Sequence, residues 1–286
     1  MATITPREAQ QIQAANDSGR VPVVFIHGLW LLPSSWERWA RHFEEAGFAA
    51  LTPSWPDDPE SVEQARANPQ VVAGKGVGQV AGHMAEVIGE LGIRPAVVGH
   101  SFGGLIAQII AGRGLSVATV AVDPAPFRGV LPLPISALRT AMPVLRNPAN
   151  RKRAITLTFE QFRYSWANAV EEPEARELYE TYHVAAPGLP LFQASTANLN
   201  PGSELRVDRT NPERGPLLIT SGESDHAVPW ALANAAYKKQ RANPGVTEIQ
   251  EIPRRDHTLT IDSGWQEVAD IALAFIQRHA AQSATV

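Results

Sequence analysis

Short, nearly unbroken apolar runs alternate along this chain with longer segments in which apolar residues recur every three or four positions. The short runs, at 21–26, 48–51, 96–98, 117–122 and 217–221, together with the more polar stretch 246–252, predict six strands. Runs apolar at successive positions are buried on both faces, as in a parallel sheet. The periodic segments, at 6–16, 36–46, 78–91, 230–241 and 265–279, predict helices, and 105–111 is a further helical run. Several carry end signals: Thr5-Pro6 as N-cap and first residue, Ser34 or Ser35 as a cap, and Gly47 and Gly92 as terminators. Between 53 and 74 the pattern dissolves into a proline-rich, irregular stretch. From 127 to 214 the alternation lapses, and only helical signals remain, at 133–145, 151–168, 174–183 and 191–198. Parallel strands need crossover helices on both faces. The expected architecture is therefore a doubly wound, mostly parallel α/β sheet with an inserted helical lid: core 1–126, lid 127–214, core 215–286.

One junction in this pattern carries chemistry. The strand at 96–98 runs into Gly99-His100-Ser101-Phe102-Gly103-Gly104 and then into a helix. Small residues two before and two after a serine allow a bend sharp enough to expose its hydroxyl. The same bend sets Ser101 at a helix N-terminus, which favours negative charge. The five-residue pattern alone also describes ordinary glycine-rich turns, so the strand-turn-helix context is what gives it meaning.

Composition narrows the function classes. A net charge of −4 and no extended basic patch argue against a nucleic-acid partner. Arg146 with Arg151-Lys152-Arg153 is too short a cluster and reads as a solvated helix face. The absence of cysteine excludes disulfides, thiolate metal sites and a Cys nucleophile, and it fits a reducing compartment. No apolar run approaches the ~18 residues of a membrane span, and the N-terminus has no basic-then-apolar leader pattern. The expectation is a soluble, cytoplasmic protein without a membrane partner, acting on a small molecule, with a homodimer as the candidate assembly.

Ser101 needs a base, and the base an orienting acid. The useful histidine should lie in a loop at the carboxyl end of a strand. His257 does so, following Pro253 and the polar turn Arg254-Arg255-Asp256. His100 should point away from the hydroxyl, His27 reads as loop support, His83 and His279 lie on helices, and His226 adjoins the acid candidate. Two aspartates end strands. Asp123-Pro124 also reads as a turn initiator and strand terminator. Asp225 yields the chain order Ser, Asp, His and is preferred.

These segments, with His27-Gly28-Leu29-Trp30, Gly222-Glu223-Ser224-Asp225-His226-Ala227-Val228-Pro229 and Arg255-Asp256-His257-Thr258, resemble the α/β-hydrolase superfamily over about 22–279. They are most similar to small Ser-dependent esterases and lipases with a helical cap. The resemblance implies an α/β-hydrolase fold and a catalytic triad of Ser101, Asp225 and His257. It implies an oxyanion hole from the backbone N–H groups of Leu29 and Phe102. An oxyanion wants two such preorganised donors whatever the family. Trp30 stands where many relatives have Pro, and the strands that usually precede the His-Gly strand are missing, leaving six. No metal and no organic cofactor is implied. Trp30, Phe127, Phe162 and Trp166 are the expected substrate contacts.

The resulting reading is a serine hydrolase, cleaving an ester-like bond (carboxylic ester, lactone or related) of a small, largely apolar substrate through an acyl-enzyme. A cofactor-free lyase or perhydrolase would use the same triad, and a small-molecule receptor that does not turn over could retain it. Phe159, Phe162, Tyr164, Trp166 and Phe192 crowd the lid segment, and most of them should serve packing between lid and sheet.

Overall fold

The computed structural model describes residues 3–280. The first part of the chain forms α1 Pro6–Ser18, β1 Pro22–Ile26, α2 Glu37–Glu45, β2 Ala49–Leu51, α3 Val62–Ala67, α4 Val77–Gly89, β3 Ala96–His100, α5 Phe102–Gly112 and β4 Ala118–Val122. An inserted segment follows, with α6 Ile135–Leu145, β5 Ala154–Ile155, α7 Phe159–Ser165, α8 Glu172–Tyr182, β6 Ala186–Pro187 and α9 Leu189–Thr196. The last part is β7 Leu217–Gly222, α10 Trp230–Gln240, β8 Thr247–Ile252 and α11 Trp265–Ala280. Six strands form one parallel sheet in the order β2-β1-β3-β4-β7-β8. Because the chain steps outward from β1 to β2 and then returns to the other side of β1, the order reverses between β1 and β3. Open α/β sheets bind their ligands at such a switch point, beyond the carboxyl ends of the strands.

Side chains alternate across each strand, so a run apolar throughout supplies both faces at once. Val23 and Phe25 pack with Trp39 and Phe43 of α2 and Phe275 and Ile276 of α11. Val24 and Ile26 belong to the opposite cluster, with Met84 of α4 and Leu105 and Ile109 of α5. That second cluster continues into the inserted segment through Phe162, Trp166 and Leu178. The insertion thus shares its apolar core with the sheet. Among the described residues no helix is long and apolar enough to cross a membrane.

Three expectations need correction. The 151–168 segment is not one helix. Ala154 and Ile155 pair antiparallel with Pro187 and Ala186, and α7 starts only at Phe159. Ile155, Thr156 and Thr158 are β-branched, which favours extended backbone, and the Thr158 side chain caps the Gln161 N–H, so the helix must begin after it. Second, neither Ser34 nor Ser35 caps α2: Ser35 Oγ donates instead to Leu32 O at 2.7 Å, within a short 3₁₀ turn. Third, the irregular stretch contains α3, capped by Ser61.

The connection into β7 depends on one buried cation. Arg214 is fully buried and faces no carboxylate among the described ion pairs. Its guanidinium donates instead to Gln240 O at 3.2 Å, Val246 O at 2.8 Å and Thr247 Oγ1 at 2.8 Å, tying β7 to the α10–β8 loop. Removing it would leave the two buried acceptors of Gln240 unsatisfied. Arg214→Ala is expected to lower stability by about 3 kcal/mol, since each buried unsatisfied acceptor costs about 1–3 kcal/mol. The check is a lower urea midpoint at unchanged m.

Candidate active site

β3 ends at His100 and α5 begins at Phe102, leaving Ser101 alone at the bend with φ 56° and ψ −120°. A non-glycine residue at positive φ costs about 1–3 kcal/mol and persists only where its surroundings enforce it. Here Ser101 N–H donates to Val122 O at 2.9 Å, and Ser101 O accepts from Leu105 N–H at 3.1 Å and Ala125 N–H at 2.9 Å. The bend is also too tight for a side chain at Gly99, whose Cβ would lie 2.1 Å from Gly103 O. At the neighbouring strand exit, a Cβ on Gly28 would lie 2.8 Å from Ser101 Cβ, so only glycine lets the loop after β1 settle on the serine. Leu29 follows directly. Phe102, as the first residue of α5, has an N–H with no partner inside the helix. No loop carbonyl among the described residues takes up the Leu29 or the Phe102 N–H.

The remaining partners converge from two other strand ends. His257, in the loop after β8, has Nε2 3.0 Å from Ser101 Oγ and Nδ1 2.6 Å from Asp225 Oδ2. Asp225, after β7, is steadied through Oδ1, which accepts the Ala227 N–H at 2.6 Å and the Val228 N–H at 2.9 Å. With a carboxylate at Nδ1, the imidazole carries its proton there and Nε2 accepts from the serine hydroxyl. Burial works against a charge on Asp225, but His257 and the hydrogen bonds at both oxygens outweigh it and hold the carboxyl below its ordinary range. Asp123 approaches the same Nδ1 no closer than 3.8 Å. The His257 loop is itself anchored to the insertion: Asp256 Oδ2 accepts the Ala169 N–H at 2.5 Å.

The other histidines are engaged elsewhere or enclosed. His27 holds the loop after β1 through Gly28 O and Asp58, both at 2.9 Å, and His83 pairs with Glu8 at 2.9 Å. His226 Nδ1 lies 2.8 Å from Tyr164 O. His100 is fully buried beside His257, with ring centroids 4.6 Å apart, and burial drives its pKa well below the usual value, leaving it neutral.

Ser101 and His257 open into a cavity of about 220 Å³ walled by Trp30, Phe102, Leu138, Leu145, Trp166 and Leu232, among others. No Asp, Glu, Lys or Arg lines it. Trp30 and Trp166 both lie on the cavity wall. Trp30, at φ 64°, donates Nε1–H to Ile155 O at 2.9 Å and meets Trp166 edge-on at 6.5 Å, and Trp166 meets the His257 ring edge-on at 4.6 Å. Phe127 and Phe162 are not on the cavity wall. Both are buried in the core, Phe162 stacked on Trp166 at 5.9 Å and against Tyr179 at 5.4 Å, because the inward face of α7 points at its neighbours in the insertion. The wall also includes Ala137, Leu138, Ala141 and Leu145 of α6, together with Ala227 and Val228 beside Asp225, none of which stands out in the sequence. The helical spacing of the four α6 positions was the available signal, eclipsed by the larger aromatics.

The chain belongs to the alpha/beta hydrolase family, whose sequence pattern it matches over residues 23–271. Among solved structures it is similar to a monoacylglycerol lipase of Paleococcus ferrophilus, at 19% identity and a TM-score of 0.63, over 90% of this chain and 94% of that one. It is also similar to an extracellular alpha/beta-hydrolase from a Paenibacillus species, at 18% identity and 0.60, over 89% and 98%. A pyrethroid hydrolase from Sphingobium faniae is similar at 15% identity and 0.60, over 91% and 99%. Among curated proteins, none matches this sequence.

Proposed function

We propose that this protein is a serine hydrolase that cleaves an ester-like bond (carboxylic ester, lactone or related) of a small, largely apolar substrate through an acyl-enzyme. The observation that carries this reading is the hydrogen-bonded line from Ser101 Oγ through His257 to Asp225, opening on an uncharged apolar cavity. In the reaction, Ser101 Oγ attacks the carbonyl carbon while His257 Nε2 takes the hydroxyl proton. Asp225 keeps the imidazole in the correct tautomer and stabilises the imidazolium. The carbonyl oxygen, now an anion, accepts from the Leu29 and Phe102 N–H groups, and the positive end of α5 points the same way. His257 then returns the proton to the departing alcohol oxygen. Water, activated by the same His257, attacks the acyl-enzyme and frees Ser101.

Walls without charge favour neutral acyl groups, and the inserted segment acts as a cap over them. Each methylene added to the acyl chain contributes up to about 0.8 kcal/mol while room remains, or roughly a fourfold gain. kcat/KM over esters from acetate to octanoate is therefore expected to rise from short to medium chains and then level off. A flat or falling series would remove the apolar-pocket reading, and no turnover of any ester, lactone, carbamate or amide would remove the hydrolase reading itself.

A further inference from the structure

Asp123 competes with Asp225 for the place of orienting acid, and its geometry suits a different task. It is fully buried at the end of β4, with φ 41°, a left-handed conformation that aspartate and asparagine tolerate better than most residues. Its Oδ1 accepts the Gly222 N–H at 2.8 Å. Its Oδ2 is buried and meets no N–H or O–H donor. Nearby stands His257 Nδ1 at 3.8 Å, whose proton is already committed to Asp225 at 2.6 Å, so the two buried carboxyls crowd one nitrogen. Two carboxylate oxygens are both acceptors, so their contact is repulsive unless a proton lies between them.

We propose that Asp123 is protonated and donates a hydrogen bond to Asp225, so that the two buried carboxyls share one negative charge and Asp123 acts as a positioning residue for the Asp225–His257 pair. This rests on the serine-hydrolase reading for its role in turnover but not for its protonation. The titratable groups that face Asp123 are Asp225, Asp256, His257 and His100, the last neutral through burial. Burial first, and the Asp225 charge next, push the Asp123 carboxyl well above the carboxylate range, whereas Asp225 is held below it. The asymmetry has a structural source. Asp225 receives two backbone N–H groups and the imidazole, while Asp123 receives one backbone N–H.

The protonation can be read without any turnover. At about pH 8 an ordinary carboxyl is ionised, and so is Asp262, which burial raises only to about 6. Infrared spectra at that pH are expected to contain a protonated-carboxyl band that shifts when aspartate is labelled with 13C and vanishes in Asp123→Asn. A native protein without such a band overturns the proposal even if esters are hydrolysed as expected. The positioning role is read in kinetics. Asn presents the same acceptor to Gly222 and a donor to Asp225, so Asp123→Asn should keep kcat within about threefold, with the acid limb of kcat/KM unmoved. An ionised Asp123 would behave differently: removing a negative charge 3.8 Å from His257 Nδ1 would take away stabilisation of the imidazolium formed during attack and lower kcat well beyond threefold. Asp123→Ala, which supplies no donor, should lose about tenfold or more in kcat with little change in KM. Equal kcat in the Ala and Asn variants would overturn the positioning role.

Discussion

Replacing Ser101 with Ala is expected to abolish ester turnover, with kcat falling by about 10⁶ as in triads that lose their nucleophile. The expectation follows from the division of labour in the site. Ser101 Oγ is the hydroxyl placed 3.0 Å from the His257 nitrogen that is free to accept its proton. Ser195, also on the cavity wall, donates to Phe192 O at 2.9 Å within its own helix. The backbone at 101 is set by Val122, Leu105 and Ala125 rather than by the side chain, so alanine should leave the fold intact, as unchanged circular dichroism and urea midpoint would verify. A fluorophosphonate should label the native protein once, at Ser101, and should not label the variant. Peptide mapping that finds the adduct on another serine would end the nucleophile assignment.

Asp225→Asn should cost about 10⁴ in kcat while leaving substrate binding nearly unchanged. An amide turned with its NH₂ toward Nδ1 stabilises the tautomer that protonates Nε2, and that nitrogen then cannot accept the serine proton. The buried pair also loses the charge that stabilises the imidazolium during attack. The effect should persist across the working pH range, because the Asp225 carboxyl lies below its ordinary value and is ionised throughout it. The sign for stability follows. A carboxyl lowered in the fold stabilises fully above its unfolded pKa, and that contribution fades as pH falls through the lowered value. Parallel measurement of Asp123→Asn separates the two aspartates: a folded, inactive Asp123→Asn beside an active Asp225→Asn would reverse the assignment.

Much of this site is legible before folding because its signals are local. Gly99 to Gly103 announce a strand-to-helix bend, since their small size is a requirement of the few ångströms around Ser101. His257 is found by its place just past a strand end, where parallel sheets gather their loops. The doubly wound sheet follows from the alternation of apolar runs with periodic segments, and all six strands lie where those runs predict them. In the insertion the signals were weaker. Thr158 reads as one more polar residue in a helical stretch until its side chain is seen closing the first turn of α7, and β5 and β6 exist only as each other's partners.

Sequence alone thus determined the sheet, the bend that exposes Ser101 and the loop that delivers His257, because each is set by propensity, periodicity and steric demand within a dozen neighbouring residues. The tertiary structure decided what depends on distances between segments far apart in the chain. The sequence prefers Asp225, because Asp123-Pro124 also reads as a turn, but both end a strand and β4 and β7 lie side by side, so the 2.6 Å and 3.8 Å approaches to one imidazole nitrogen are what separate them in space. Likewise Phe162 turned inward and Leu138 turned to the cavity, because the face a helix shows its pocket is set by its docking onto the sheet and neighbouring helices, a choice that hydrophobicity alone does not encode.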